Sequence, residues 1–552
     1  MKRRILFLNA VFFAFCLPAF AGQNWVDQFL NRYKPAPLSL PAATAQDRLQ
    51  ALSREGSIPL SISDLISLTL ENNLDIRVSR LSPLASEYAI LTNYRPFEPT
   101  LTLGASLSRD TSKSRTQLTG VDSVSQLSHS YNVGYLQTLR TGTDIAVDFT
   151  LDRTSSNNAF NTFNPSWVGQ MRYSFTQRIL NGFGRTVNSR GIRLAQNNKS
   201  ISEAQFENMV IDLVRQAERS YWDLVFTTED LKVKQSALQL AERTLVDNQR
   251  QVDVGTLARI DLIQARSQVS TRKEELIVTN FTQMQIQDQV KKVLTRQPDP
   301  GLVFATISPT QTAELPGPTD ILSPQDAIRV ALENRPELRQ AKLQLQNSDI
   351  EIQYARNQLL PTLDLTASYA QSGVGGTETL RNGFGPGAPI VSINPGGLGD
   401  ALSELLRSRS SGYTVGFNMR IPLSNKGQQA EYSRIVVEKR TAEENIKSVE
   451  QQIALEVRNA ITAVEMNKAR IQAAQDSREL AQEQLTAEQR KFELGASTVR
   501  FVLEEQRNLQ QMQTNEIAAI VNYRKALVDY DHALGMTLKK NNVSIEKVAA
   551  LR

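Results

Sequence analysis

Cysteine and histidine are nearly absent from the sequence, so it has few of the residues that metal sites and acid–base catalysis use. Among 552 residues, Cys16 is the only cysteine, and His129 and His532 are the only histidines. The formal net charge is +5, of which residues 2–4 contribute three charges. Because the rest is close to neutral, we expect no nucleic-acid partner. Because cysteine and histidine are so scarce, we expect no metal, no cofactor and no enzymatic activity.

The sequence also lacks long apolar runs, except for one near its N-terminus. Basic residues at 2–4 precede an apolar run from Ile5 to Leu17, and Ala19-Phe20-Ala21 offers small residues to a signal peptidase. The pattern predicts a signal peptide over 1–21, removed together with Cys16. A membrane anchor is the alternative, but about 13 apolar residues are too few to span a bilayer. If the mature chain is embedded in a membrane, a closed β-barrel is the remaining route.

An internal duplication organises the chain. Residues 60–106 align without a gap on residues 322–368, at a constant offset of 262, and 17 of these 47 positions are identical. A gapless match of this length indicates a tandem repeat. Proline-rich connectors flank the two copies. We expect a linker over 22–59, a first repeat over 60–297, a linker over 298–321, a second repeat over 322–535 and a tail over 536–552.

Each repeat begins with helical periodicity and then changes to a period of two. Ser63 or Ser323 is placed to cap the first helix. Pro99 and Pro361 stand at the change of period, where proline suits the start of a strand. After them, apolar and polar residues alternate, as in Leu101 to Leu107. We expect strands within 99–179 and within 361–422. Alternation over about ten residues fits a transmembrane barrel strand, although a strand of a soluble sandwich alternates in the same way.

The two repeats differ in their number of strands. The first offers four strand-like runs, at 100–108, 131–139, 144–152 and 167–179, whereas the second offers two. A chain that leaves a helical region and returns to it needs an even number of strands, so both counts are allowed. The sequence leaves open whether the extra pair widens a barrel or folds outside it.

Two long helical hairpins follow the strands, at 185–297 and 428–535. Residues 192–254 and 428–494 contain no proline or glycine, and a helix of about 65 residues is roughly 100 Å long. Steps of four and three from Ile453 to Phe492 give a coiled-coil seam with nine apolar residues in twelve positions. The chain can reverse at two tips, which are Val254-Gly255-Thr256 and Leu494-Gly495-Ala496.

The order of these features resembles the TolC family of bacterial outer-membrane channel proteins. The resemblance covers about residues 58–535. It depends on the openings LTLENNLDIR and VALENRPELR, the strand entry LLPTLDLTASY, the exits RILNGFG and RIPLSNKG, and the tips QVDVGTLARIDLIQA and KFELGASTVRFVLEE.

The resemblance implies an α+β membrane protein. Three chains would form one outer-membrane β-barrel, in contact with outer-membrane lipid and continued by a periplasmic tunnel of coiled-coil helices. In the family each chain usually gives four strands, so the extra pair is a departure. The homotrimer would be the exit duct of an efflux or type I secretion system, with a periplasmic adaptor and an inner-membrane transporter docked at the tips. The exported substrate, whether drug, metabolite, metal or protein, stays open.

The resemblance also implies a gate near the tips. Family channels place acidic residues six and nine positions after the second tip glycine, where this chain has Phe501 and Glu504. Asp261 matches an aspartate that the family links to an arginine. That arginine position holds Ser497 here, and Arg500 is the nearest arginine. Three copies of Glu504 would attract cations, and the alternative is an ordinary surface glutamate.

Two other functions compete with the channel. A periplasmic coiled-coil adaptor would carry one hairpin flanked by β-domains, without repeated barrel-like strands. A structural envelope protein or adhesin would not need paired hairpins with glycine tips. Extraction from the outer membrane with detergent separates the channel from both.

Overall fold

The structure is a computed structural model that describes residues 30–31, 33–35, 57–116, 119–295, 305–314, 317, 321–383 and 387–544. The predicted signal peptide, most of the 22–59 linker, half of the 298–321 linker and the last residues of the tail lie outside the described residues. No helix in the described part of the chain has the length and apolar character needed to cross a bilayer.

The described chain divides into two compact units. The first, here called the sheet unit, contains residues 88–196 and 347–439. The second, here called the helical unit, contains residues 57–87, 197–346 and 440–544. Each repeat therefore contributes strands to the sheet unit and helices to the helical unit.

Each repeat opens with two consecutive helices, as predicted. They are α1 (Ile62–Asn72) and α2 (Leu74–Thr92) in the first repeat, and α5 (Pro324–Asn334) and α6 (Pro336–Gln358) in the second. The prediction of Ser63 as a cap is wrong, because Ser63 lies inside α1 and Ser61 caps it by accepting the Asp64 N–H at 3.1 Å. Ser323 caps α5 through Asp326 in the same way, at 3.3 Å.

The first repeat supplies four long strands, each of which begins or ends beyond its predicted run. Pro99 directly precedes the first, and Pro361 directly precedes the first strand of the second repeat. The four strands are β2 (Thr100–Lys113), β3 (Ser123–Leu139), β4 (Thr143–Ser156) and β5 (Phe163–Arg178).

The second repeat supplies two long strands and an insertion between them. The long strands are β7 (Thr362–Arg381) and β9 (Ser410–Arg420), and the insertion holds β8 (Ile390–Asn394) and the short helix α7 (Leu398–Leu406). All neighbours in the sheet are antiparallel, in the order β2-β3-β4-β5-β7, with β9 and β8 pairing different parts of the far edge of β7.

Helix α7 packs on a track of glycines in β5 and β7. A Cβ at Gly373 would clash with the carbonyl oxygen of Ala401, so this contact requires glycine. Gly169 and Gly373 are register partners, and a Cβ at Gly169 would lie 3.8 Å from Leu405. Ala401 and Leu405 are fully buried there. Neither α7 nor β8 is predicted from the sequence.

The long hairpins match their predicted positions to within a few residues at each end. The first is α3 (Arg190–Asp253) and α4 (Arg259–Leu294), and the second is α8 (Lys426–Glu493) and α9 (Val499–Ala533). The predicted seam of α8 is buried, as Ile453, Val457 and Val464 illustrate. Short helices occupy Arg185–Asn188 and Thr537–Lys540.

The core of the helical unit includes a small parallel strand pair. β1 (Ser57–Leu60) pairs with β6 (Thr306–Pro309). Buried Tyr221 of α3 joins this pair, because its hydroxyl donates to the Leu60 carbonyl at 3.2 Å and accepts the Gln311 N–H at 3.2 Å. Apolar residues of α1, α3, α4 and α9 surround the pair.

Candidate functional site: hairpin tips and sheet faces

The two hairpin tips have the same turn. Gly255 and Gly495 adopt φ values of +81° and +73°, a left-handed conformation that glycine adopts without the steric cost of a side chain. The residue after each glycine bonds back into the helix, with Thr256 N–H to the Gln251 carbonyl at 2.9 Å and Ala496 N–H to the Lys491 carbonyl at 2.8 Å. The sequence therefore ends both long helices by one mechanism.

Each tip presents one large apolar side chain to solvent. Val254 is 75% exposed and Leu494 is 84% exposed. Thr256 contributes a hydroxyl that donates to the Gln251 carbonyl at 3.0 Å, which fixes its side chain at the turn. A compact, ordered end with exposed apolar residues is suited to contact another protein.

The predicted gate residues of the second hairpin lie on the first turns of α9. Phe501 and Glu504 are exposed, and so is Arg500. The Arg500 guanidinium lies 5.8 Å from the centre of the Phe501 ring, within range of a cation–π contact. The Glu504 carboxylate is therefore available to groups outside its own chain.

Asp261 lies in the first turn of α4, near the other tip. Among the described residues, no ion pair joins Asp261 to Arg500, so one chain does not bring these two predicted partners together. Ser497, which holds the family's arginine position, donates a hydrogen bond to Glu488. That bond, together with Lys491, holds the pKa of the Glu488 carboxyl below its usual value.

A partly buried polar cluster that sequence reasoning missed joins three helices above the tips. The Glu275 carboxylate of α4 accepts from Arg272 at 2.9 Å, from Gln510 of α9 at 3.0 Å and from Lys234 of α3 at 3.4 Å. Burial alone would raise the pKa of Glu275, but these hydrogen bonds and charges hold it below its usual value. In the sequence, these charges are indistinguishable from a solvated helix face.

A buried carboxylate lies in the interior of α3, far along the chain from the tip. Glu218 of α3 is 8% exposed and accepts from the Asn541 amide at 3.0 Å. Burial raises its pKa to about 7, with a contribution from the nearby Asp531 charge and opposition from Asn541 and Lys540. Glu218 thus holds the start of the C-terminal tail against α3.

The sheet has one apolar and one polar face, because its register aligns the alternation of all six long strands. One apolar row runs across every strand: Leu101, Tyr135, Val147, Tyr173, Tyr369 and Tyr413. The next row belongs to the polar face: Thr102, Gly134, Asp148, Arg172, Ala370 and Gly412.

Both edges of this sheet are open within one chain. Among the described residues, β2 pairs with β3 alone and β9 pairs with β7 alone. Strands next to each other are antiparallel, so the first and sixth strands run in opposite directions. The two edges can therefore pair with each other between copies, in the same antiparallel pattern.

Comparisons of sequence agree with this architecture. Residues 327–536 match the family model described as outer membrane efflux protein. Nodulation protein T of Rhizobium leguminosarum bv. trifolii is 24% identical over 324 residues, which are 57% of this chain and 61% of that protein. The pyoverdine export outer membrane protein OpmQ of Pseudomonas aeruginosa is 21% identical over 388 residues, which are 70% of this chain and 72% of that protein.

Comparison of structures gives the same fold. The outer membrane protein VceC of Vibrio cholerae superposes with a TM-score of 0.60 at 15% identity, covering 90% of this chain and 99% of that one. Because the superposition covers 90% of this chain, it includes residues of both the strands and the long hairpins. The second repeat therefore belongs to the outer membrane efflux protein family, and the chain has the fold of TolC-like outer-membrane channels.

Proposed function

We propose that this protein is the outer-membrane exit duct of a multi-component export system. The sheet with one apolar face, one polar face and two open edges carries the proposal. Three copies joined edge to edge form a barrel whose apolar face meets lipid and whose polar face lines a water-filled lumen. The long hairpins continue the duct through the periplasm, and the duct passes substrate without catalysing a reaction.

The hairpin tips are the docking end of this duct. The matched turns at Gly255 and Gly495 and the exposed Val254 and Leu494 support contact with a periplasmic adaptor, which connects the duct to an inner-membrane transporter. Glu504, exposed near the second tip, supports a ring of three carboxylates at the narrow end. In this proposal Phe501, Asp261 and Arg500 complete the gate.

A pair of variants on neighbouring residues of β9 tests the lipid-facing assignment. Val415 lies on the apolar face and Thr414 on the polar face. Val415→Lys places a charge in lipid, at a cost of about 2–4 kcal/mol near the bilayer midplane, whereas Thr414→Lys places it in the lumen. We expect Val415→Lys to reduce the amount of trimer extracted from outer membranes by detergent, while Thr414→Lys assembles normally and conducts in planar bilayers.

The competing functions make different predictions for the same experiment. A periplasmic adaptor or a structural coiled-coil protein would be released in the soluble fraction, with both lysine variants behaving alike. A wild-type protein that forms no ion-conducting pore would also contradict the proposal.

A further inference from the structure

The two repeats are unequal in a way that identifies an inserted hairpin. β2 and β7 are equivalent, because Thr100-Leu101 aligns on Thr362-Leu363 at the offset of 262. β5 and β9 are equivalent as well, since each leads into a long helix. In the second repeat β7 pairs directly with β9, but in the first β3 and β4 lie between β2 and β5. The β3–β4 hairpin is therefore the addition.

The inserted hairpin is a full part of the sheet. β3 pairs with β2 over the whole of Thr100–Lys113, and β4 pairs with β5 over Thr143–Thr154. If the hairpin folded aside, β2 and β5 would be neighbours, as β7 and β9 are. Within one chain, the extra strand pair therefore belongs to the sheet and does not fold outside it.

Over residues 131–135 and 147–151 the inserted strands carry both surfaces of the sheet, and the polar pair His129 and Arg153 stands in the next row of the apolar face. On the apolar face, Val133 and Phe149 stand in one row between Leu103 of β2 and Met171 of β5. On the polar face, Asn132 and Thr150 stand in one row between Gly104 and Gln170. Strands with these faces can serve as wall strands between lipid and water.

Three aspartates of the inserted hairpin lie on the polar face of the sheet. Asp144, Asp148 and Asp152 are spaced by four residues in β4 and share the polar face. Asp144 accepts from the Thr138 hydroxyl at 2.7 Å and pairs with Arg178 at 3.2 Å. Asp152 accepts from Ser130. These contacts keep the charges on the polar side of the wall.

We propose that the β3–β4 hairpin sets the width of the exit lumen, an inference that rests on the trimeric duct proposed above. Six long strands from each of three chains give eighteen, whereas chains without the hairpin would give twelve. Barrel diameter grows about linearly with strand number, so the backbone barrel is about half as wide again. With strands about 4.8 Å apart and tilted by about 40°, the backbone diameter rises from about 24 to about 36 Å.

The width of the lumen sets the size of the solutes that can pass through it. Side chains occupy about 5 Å on each side of the lumen, about half of the face-to-face spacing of packed sheets. The free diameter is then about 26 Å with the hairpin and about 14 Å without it. The inserted hairpin therefore admits polar solutes between about 14 and 26 Å across.

Strand counting and polymer exclusion test the proposal on the full-length trimer. An electron cryomicroscopy map of the trimer in lipid nanodiscs should show eighteen strands. Uncharged polyethylene glycol of about 20 Å diameter, added only on the side of the strand loops, should enter the lumen and lower the conductance. A variant lacking residues 123–156, whose remaining loops join antiparallel β2 and β5, should exclude the same polymer.

The outcomes separate this inference from the proposed function. A conducting trimer that shows twelve strands, or that excludes the polymer in its wild-type form, overturns the hairpin proposal and leaves the duct intact. A protein that forms no trimer or no pore overturns the duct itself. If the deletion variant does not assemble, the strand count of the wild-type trimer decides alone.

Discussion

At the scale of single residues, Glu218 couples stability to pH. Its carboxyl is buried, and burial raises its pKa from the usual 4.5 to about 7. The folded chain keeps this proton up to about pH 7, whereas the unfolded chain releases it near pH 4.5. Stability therefore falls as the pH rises through this window, and the buried charge costs roughly 3 kcal/mol above it.

Glu218→Gln should remove this dependence. We expect the variant to unfold at a higher temperature than the wild type at pH 8 and at nearly the same temperature at pH 4, followed by circular dichroism. Glu203→Gln is the matched control, because Glu203 is exposed on the same helix and pairs with Lys199 at 3.9 Å. Equal pH dependence in Glu218→Gln and wild type would contradict the assignment.

Glu504 tests the proposed gate at the same scale. Three ionised carboxylates around one axis repel one another, and a cation between them lowers their energy. Glu504→Gln keeps the shape and removes the charge, so we expect weaker cation preference and weaker block by multivalent cations in bilayer recordings. Glu505→Gln is the control, since Glu505 is half-buried and accepts from Asn508 at 3.3 Å. Unchanged selectivity in Glu504→Gln would make it an ordinary surface carboxylate.

At the scale of elements, the tip turns depend on glycine. Gly495 has φ of +73°, where a side chain costs about 1–2 kcal/mol, although a Cβ there would meet no neighbour within 4 Å. Gly495→Ala should therefore weaken adaptor binding, measured by pull-down, while the trimer persists. Gly427→Ala is the control, because Gly427 does not have a positive φ and a Cβ there would meet no atom within 4 Å. Adaptor binding equal to wild type would show that the turn does not position the docking surface.

The elements also show which features the sequence could predict. The hairpin helices were predictable because Gly255 and Gly495 interrupt otherwise uninterrupted helical patterns. The strand ends were not, because the alternation ends after Leu107 while pairing continues to Lys113. The cap of α1 could have been assigned to Ser61 from the sequence, since the offset of 262 pairs Ser61 with Ser323. The Glu275 cluster was not, because it exists only when three helices pack.

At the scale of the whole molecule, one chain does not test the proposed gate, because the proposal needs copies of Glu504 from three chains. One chain also does not test the pairing of the open edges β2 and β9. The proposed duct requires these edges to pair between copies. Polar-face residues lie at Thr102 on β2 and at alternate positions on β9. If the barrel closes as proposed, these two polar rows come to lie side by side.

Cysteine cross-linking tests this closure. Cys16 is the only cysteine and lies in the predicted signal peptide. Any disulfide in the mature protein should therefore form between the introduced cysteines. We expect Thr102→Cys, combined in turn with cysteine at 412, 414, 416 or 418, to give a covalent trimer for at least one pair. Leu101→Cys with the same partners should not cross-link, because it faces the opposite side of the sheet. Monomers alone with every pair, or equal cross-linking from Leu101→Cys, would contradict edge-to-edge closure.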